Sequence, residues 1–216
     1  MDEEYKGENV KKIIVFGLVL TLSACSNPQD PTEANFKVAI QDFLSSRKGE
    51  ACIEVPDLPF EVSKSSLAFH FDLKKFISVG LVNSTETEKK EGNSKETVLT
   101  LSLTDMGKSA LKKFEKPYSY AFAMGVLQSH SALCYGEHRV VDILNFTEPA
   151  DFGGQKISRV NFTYTTKNIS QWTNNKVFQS NGRLFRDIKS ESEPIKDKAT
   201  LMLTNKGWVH KKLFRN

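Results

Sequence analysis

The stretch Leu99 to Phe114, "LTLSLTDMGKSALKKF", changes period in its middle. Leu99, Leu101 and Leu103 alternate with Thr100 and Ser102, the two-residue repeat of a strand with one buried face. Thr104 can then cap a helix start, and Gly107 allows close approach to the strand before it, so a helix is expected from Thr104 through Phe114. Upstream, Val82–Glu88 reads as a polar strand and Lys89–Lys95 as a charged turn with Gly and Asn, which makes a β-hairpin with Thr97–Leu103. Asp72–Leu81 reads as a helix, capped by Asp72 and stopped near Gly80. The same frame returns in Ala199 to Phe214, "ATLMLTNKGWVHKKLF": a strand, L-T-x-x-G, then a basic segment. Duplication and independent recurrence of one strand-turn-helix solution both account for the echo.

The order helix, Gly80-Leu81-Val82, strand, charged turn, strand, L-T-x-x-G, helix resembles the recognition helix and wing of winged-helix domains. DNA binding is the usual work of that fold, but fold does not carry function with it. The remainder divides into elements of both kinds. Pro31-Thr32-Glu33 opens a helix with Phe36, Ile40, Phe43 and Leu44 on one face through Ser46. Ala51–Val55 reads as a strand holding Cys52, and Pro56 and Pro59 mark a loop. Lys116-Pro117 breaks the chain. Beyond it the pattern is strand-rich: Leu133–Tyr135, His138–Phe146, Lys156–Thr166 and Ala199–Leu203, with a turn at Glu148–Gly154 and a short helix at Ser170–Phe178. The expected class is α+β, with a winged-helix-like half over residues 35–116 and an antiparallel sheet with short helices over residues 117–216.

The first 24 residues read as a signal peptide. Lys11 and Lys12 precede the apolar run Ile13–Leu20, which is too short to span a ~30 Å hydrocarbon core comfortably. Leu22-Ser23-Ala24-Cys25 closes the run and resembles the bacterial lipobox, L-[AS]-[AG]-C. That resemblance implies diacylglycerol on Cys25, cleavage before it and an acylated new N-terminus, with residues 25–34 as a lipidated tether. Several acyl chains, at about 0.8 kcal/mol per buried CH₂, anchor a protein stably. Ser26, where inner-membrane retention would place Asp, implies sorting to the outer membrane, facing the periplasm. Residues 1–9 carry four acids, opposite to what an n-region carries, so translation is expected to start at Val10.

Residues 1–24 hold three of the lysines and four of the acids, so the remainder is one unit more positive than the whole chain's +4. Mild basicity permits contact with anionic lipid without requiring it, and an exported protein meets no nucleic acid. With Cys25 taking lipid, Cys52 and Cys134 are left as a pair in an oxidising compartment, where a disulfide is expected. Closing so long a loop contributes about 4–5 kcal/mol on the chain-entropy model. Two free buried thiols are the competing reading.

From Cys134 onward, C-Y-G (Cys134–Gly136), E-P-x-x-x-G-G (Glu148, Pro149, Gly153, Gly154), V-N-F-T-Y-T, Trp172 and L-T-N-K-G-W (Leu203–Trp208) look like a group of proteobacterial envelope lipoproteins, the YfjS-like group associated with prophage islands. The resemblance implies architecture and compartment, not activity, because its motifs are turn glycines, core aromatics and one cysteine.

No catalytic residue is assigned. His130-x₃-Cys134-x₃-His138 has helical spacing that invites a metal reading, but the segment turns strand-like at Cys134, and no metal or cofactor is expected. There is no G-x-S-x-G, no S-x-x-K with its companion motifs, and no phosphate-cradling glycine loop. Glu148 and Asp151 bracket a turn. The expected role is therefore a non-enzymatic interaction protein, bound to the membrane through Cys25 and to another envelope protein. An envelope enzyme with a site at the junction of the halves is the alternative, and a lipid or ligand carrier is a third.

Overall fold

The structure is a computed structural model that describes residues 27–46, 49–69, 71–91, 94–122, 125–178 and 182–214. The expected signal peptide, with Val10, Cys25, Ser26 and His70, lies outside the described residues. Four α-helices and eleven strands fill the rest: α1 (Glu33–Leu44), β1 (Cys52–Val55), β2 (Phe60–Ser63), α2 (Phe71–Ser78), β3 (Val82–Glu91), β4 (Ser94–Leu103), α3 (Asp105–Ala110), β5 (Leu111–Phe122), β6 (Gly125–Cys134), β7 (Glu137–Phe146), β8 (Ala150–Phe152), β9 (Gln155–Lys167), α4 (Gly182–Lys189), β10 (Ile195–Thr204) and β11 (Gly207–His210). Every paired strand runs antiparallel to its neighbour, in three sheets ordered β1-β6-β5, β2-β4-β3 and β11-β10-β9-β7, with β8 pairing β9.

Two hydrophobic cores result. The first joins the sheets β1-β6-β5 and β2-β4-β3 through Leu73, Phe76, Leu81, Leu101, Leu133 and Phe178. The second lies between α1 and the β7-β9-β10-β11 sheet. Phe36, Ala39, Ile40, Phe43 and Leu44 form one buried face of α1, at the helical spacing that the sequence shows. Thr32 caps the helix by accepting from the Asn35 N–H, with Glu33 in the first turn beside the positive end of the helix dipole. The helix also covers an open sheet edge. Lys37 Nζ donates to the Val141 carbonyl (2.6 Å), Gln41 Nε2 donates to the His138 carbonyl (3.0 Å), and the Val140 N–H donates to Gln41 Oε1 (3.0 Å). These bonds occupy backbone groups of β7 that would otherwise be free to pair with another chain.

The expected division at residues 116/117 falls inside β5, and α1 packs on the sheet of the later residues, so the two cores do not follow the two halves of the sequence. The helix expected through Phe114 ends at Ala110. Leu111 adopts extended backbone (φ −72°, ψ 129°) and starts β5, because β6 needs a second partner beside β1 and Leu111 fits the first core. Pro117 is accommodated in the register shift between Lys113 and Tyr118, where no ladder hydrogen bond is required of it. The basic segment after the second L-T-x-x-G is likewise the strand β11, paired with β10, and not a helix.

Candidate functional site

Cys52 and Cys134 are direct cross-strand partners in the β1–β6 register, and a disulfide joins them. Around them lies a solvent-open cleft of about 410 Å³ between the end of α1, β1, the start of β5 and the start of β7. Its polar groups are largely bonded to one another. Glu50, 8% exposed, gives Oε1 to Lys112 Nζ, while its Oε2 lies 3.7 Å from Cys52 Sγ. Glu137 and Arg139 pair with each other on the rim. Gly136 is needed here because a Cβ would fall 2.7 Å from Thr166 Cγ2 and 3.0 Å from the Lys167 carbonyl oxygen.

Beneath the cleft is a polar cluster that no sequence motif announces. His138, 4% exposed, has Nδ1 2.6 Å from the Gly49 carbonyl oxygen. A carbonyl only accepts, so Nδ1 carries the hydrogen of that bond. The opposite nitrogen, Nε2, faces Asp187 Oδ2 at 3.2 Å, in ion-pair range but off hydrogen-bond alignment. Tyr135 Oη donates to the same oxygen (2.5 Å), and Arg183 Nε stands 3.9 Å from it on the preceding turn of α4. Arg183 Nη2 also donates to the Glu50 carbonyl (2.8 Å), tying the cluster to the cleft above. Burial, and then the Asp187 charge, push the Tyr135 phenol far above its ordinary range, so it acts as a hydrogen donor and not as a base. Ser190 latches the end of α4 to β9, donating to the Asp187 carbonyl (2.6 Å) and accepting from the Thr166 N–H (2.7 Å).

Removing one member of such a cluster leaves buried charge uncompensated. Tyr135, His138 and Asp187 are buried and Arg183 is half exposed, and together they hold α4 against the start of β7. Nothing in the sequence around Asp187 singled it out except the i, i+4 spacing to Arg183.

The other histidines are placed elsewhere. His130 lies on β6, where its backbone N–H and Nδ1 both reach Asp57, at 3.2 and 3.4 Å, and Ser131 Oγ donates to the same carboxylate (2.7 Å). Burial raises the Asp57 pKa, but the hydrogen bonds from Ser131 and His130 outweigh it and hold the carboxyl below its usual range. The spacing His130–Cys134–His138 is therefore spread over two strands and two separate ion pairs, and it assembles no ligand set. Among the described residues the one group with metal-ligand spacing is Glu50, Cys52 and Cys134, and its two sulfurs are bonded to each other. Glu148 precedes β8 and Asp151 lies within it, both on the surface.

A second arrangement concerns the residues next to Cys25. Asn27 to Asp30 lie along the β10–β11 turn. Gln29 Nε2 donates to the carbonyls of Thr204 (3.4 Å) and Asn205 (3.2 Å), and Trp208 Nε1 lies within donating distance of the carbonyls of Gln29 (3.1 Å) and Asp30 (3.2 Å). The segment expected as a free tether is, from Asn27 on, part of the folded body.

Compared with protein-family models, curated proteins and solved structures, the chain matches none.

Proposed function

We propose that the chain is a lipid-anchored bacterial envelope protein, exported by its signal peptide, acylated on Cys25, facing the periplasm and sorted to the outer membrane. It works by stoichiometric binding to another envelope protein. The observation that carries this reading is the docking of residues 27–30 on Trp208 and the β10–β11 turn, because it ends the tether two residues after Cys25. A body held so close to its anchor suits a protein that acts at the membrane surface. Binding is favoured over catalysis by the chemistry of the junction cleft. Glu50 is taken up by Lys112, Glu137 by Arg139 and Cys52 by Cys134, while His138 turns inward to Asp187.

The part of the chain from Phe60 to Leu103 is read as winged-helix-derived. The sheet order β2-β4-β3, with a 3₁₀ turn at Ser66–Phe69 and α2 placed between β2 and the β3–β4 hairpin, supports that reading. In an exported protein such a wing serves as a scaffold and carries no DNA-binding role. The enzyme alternative rests on the same cleft, since a buried Glu50 beside an opening of this size is the place to look for a substrate.

Intact-mass measurement of the detergent-extracted protein tests the anchor: acyl mass on a chain beginning at Cys25 is expected, and an unmodified chain overturns it. A photo-crosslinking residue in place of Glu137 on the cleft rim, in living cells, tests the binding role. One discrete protein adduct is expected there and none from a residue in place of Lys90 on β3; equal labelling at both positions, or at neither, overturns it.

A further inference from the structure

The end of the β7-β9-β10-β11 sheet that holds residues 27–30 also holds the most exposed large apolar side chain among those described. Phe152 is 75% exposed, at the end of β8. It pairs with Gln155 across the Gly153-Gly154 turn, where a Cβ on either glycine would meet nothing within 4 Å. That turn therefore stands clear of the body. The β9–β10 register places Ile157 opposite Met202. A few residues further along each strand lie the two turns, Gly153-Gly154 and Asn205-Lys206, side by side at one end of the sheet. Residues 27–30 bind this same end, through the carbonyls of Thr204 and Asn205 and through Trp208. They sit tightly: a Cβ on Gly207 would come within 2.8 Å of the Pro28 carbonyl oxygen.

Chain geometry then limits where this end can be. From Asn27 back to Cys25, two residues span at most about 7 Å. Resting on the acylation of Cys25 proposed above, we infer that the β8–β9 and β10–β11 turns form the membrane-facing end of the protein, and that Phe152 inserts into the phospholipid surface carrying the anchor. Charge does not drive the contact, since Lys156 and Lys206 at this end are offset by Asp151, opposite Lys156 in the β8–β9 pairing, and by Asp30 in the docked segment. The driving term is removal of the Phe152 ring from water at the headgroup boundary, where interfacial apolar side chains bury about 5–10 Å deep. The acyl chains make the attachment and Phe152 fixes the orientation. One anchored point leaves a body free to tilt, and a second contact on the same end restrains it. The opposite end of the sheet, where Thr163 pairs with Lys196 and α4 exposes Phe185, lies about 20 Å further out at ~3.4 Å per strand residue.

The test uses the processed full chain reconstituted into phosphatidylcholine vesicles with brominated acyl chains, which quench indole emission at short range. Phe152→Trp and Phe185→Trp are compared against the background from Trp172 and Trp208. The added emission of F152W is expected to fall at least about twofold in brominated vesicles, while that of F185W stays unchanged. F152W left unquenched, or F185W quenched equally, overturns the orientation. Intact mass reads the acyl chains separately. A lipidated protein with unquenched F152W thus overturns this inference alone, whereas a chain without acyl mass overturns the anchoring on which it rests. Both sites are exposed, so unchanged melting temperatures are expected to confirm that each variant is folded.

Discussion

The two L-T-x-x-G segments share a motif and differ in shape. At the first, Thr104 Oγ1 accepts from the Gly107 N–H (3.0 Å) and its hydroxyl lies 2.6 Å from the Gly80 carbonyl oxygen, so the threonine caps α3 and ties it to the end of α2. At the second, Thr204 Oγ1 donates to the Gly207 carbonyl (2.7 Å) and accepts from the Lys206 N–H (3.1 Å), closing a hairpin. Gly107 is helical, whereas Gly207 has φ +115°. What the turns share is a backbone carbonyl pressed against the glycine, from Leu81 in one case and from Pro28 in the other. The motif thus specifies a threonine that closes a turn and a glycine over which another segment passes. Which segment passes, and hence which shape results, is decided by distant chain.

Replacing each glycine separates these demands. A Cβ on Gly107 would lie 2.0 Å from the Leu81 carbonyl oxygen and 3.0 Å from Leu103 Cδ2, and the first of these is backbone that cannot swing aside. Gly107→Ala is expected to cost about 3 kcal/mol, at the upper end of overpacking effects, read as a shift of the denaturant midpoint. An effect below about 1 kcal/mol would show that α3 slides freely over the α2–β3 corner.

The neighbourhood of the second turn has a pH dependence of its own. His210 on β11 stacks on Phe43 of α1 (ring centroids 3.8 Å apart), and its Nδ1 accepts from the Lys212 N–H (3.1 Å). Burial first, then the Lys212 charge, lower its pKa from 6.5 to about 4, against an opposing pull from Asp197. The folded state thus holds fewer protons on this group than the unfolded chain between pH 6.5 and about 4. Stability is full above pH 6.5 and falls as pH drops through that window. The expected loss is on the order of 2–3 kcal/mol. In His210→Gln, the difference in stability between pH 7 and pH 4.5 should shrink by most of that amount; an unchanged difference would place the acid sensitivity elsewhere.

Gly207→Ala comes next, at about 2 kcal/mol, combining strain at positive φ with displacement of Pro28. Its particular sign is faster hydrogen exchange at the amides of Gln29 and Asp30 and at the Trp208 indole. Gly107→Ala should leave those protons as protected as before.

How much of this was legible in the sequence follows from how local each signal is. The α1 face, the β3–β4 hairpin and the cysteine pair were readable, because side-chain period, turn residues and a count of thiols suffice for them. β5 was not. Leu111 and Phe114 are three apart, which sets them on one face of a helix but on opposite faces of a strand, so the local period points to a helix and the pairing with β6 that overrides it is nonlocal. Lys116-Pro117 reads locally as a break, yet a register shift accommodates the proline. The cluster of Tyr135, His138, Arg183 and Asp187 is invisible for the same reason: two stretches about 45 residues apart in sequence deliver it, and neither carries a motif. Nor did the polar stretch before α1 reveal that its partner was Trp208, some 180 residues away.

The smallest effect discriminates best between the two turns. Thr104→Ala removes a helix cap, expected to cost about 1 kcal/mol, and also removes the hydroxyl bond to the Gly80 carbonyl. Thr204→Ala removes two side-chain bonds within a hairpin turn whose ladder pairs remain in place, and is expected to cost about half as much. In the double substitution Asp105→Asn with Met106→Lys, the first turn takes on the sequence of the second. If distant chain decides the shape, Thr104→Ala in that background should still cost about 1 kcal/mol, because Leu81 and not the two inner residues holds the helix start. A cost reduced to that of Thr204→Ala would mean that the inner residues choose between cap and hairpin.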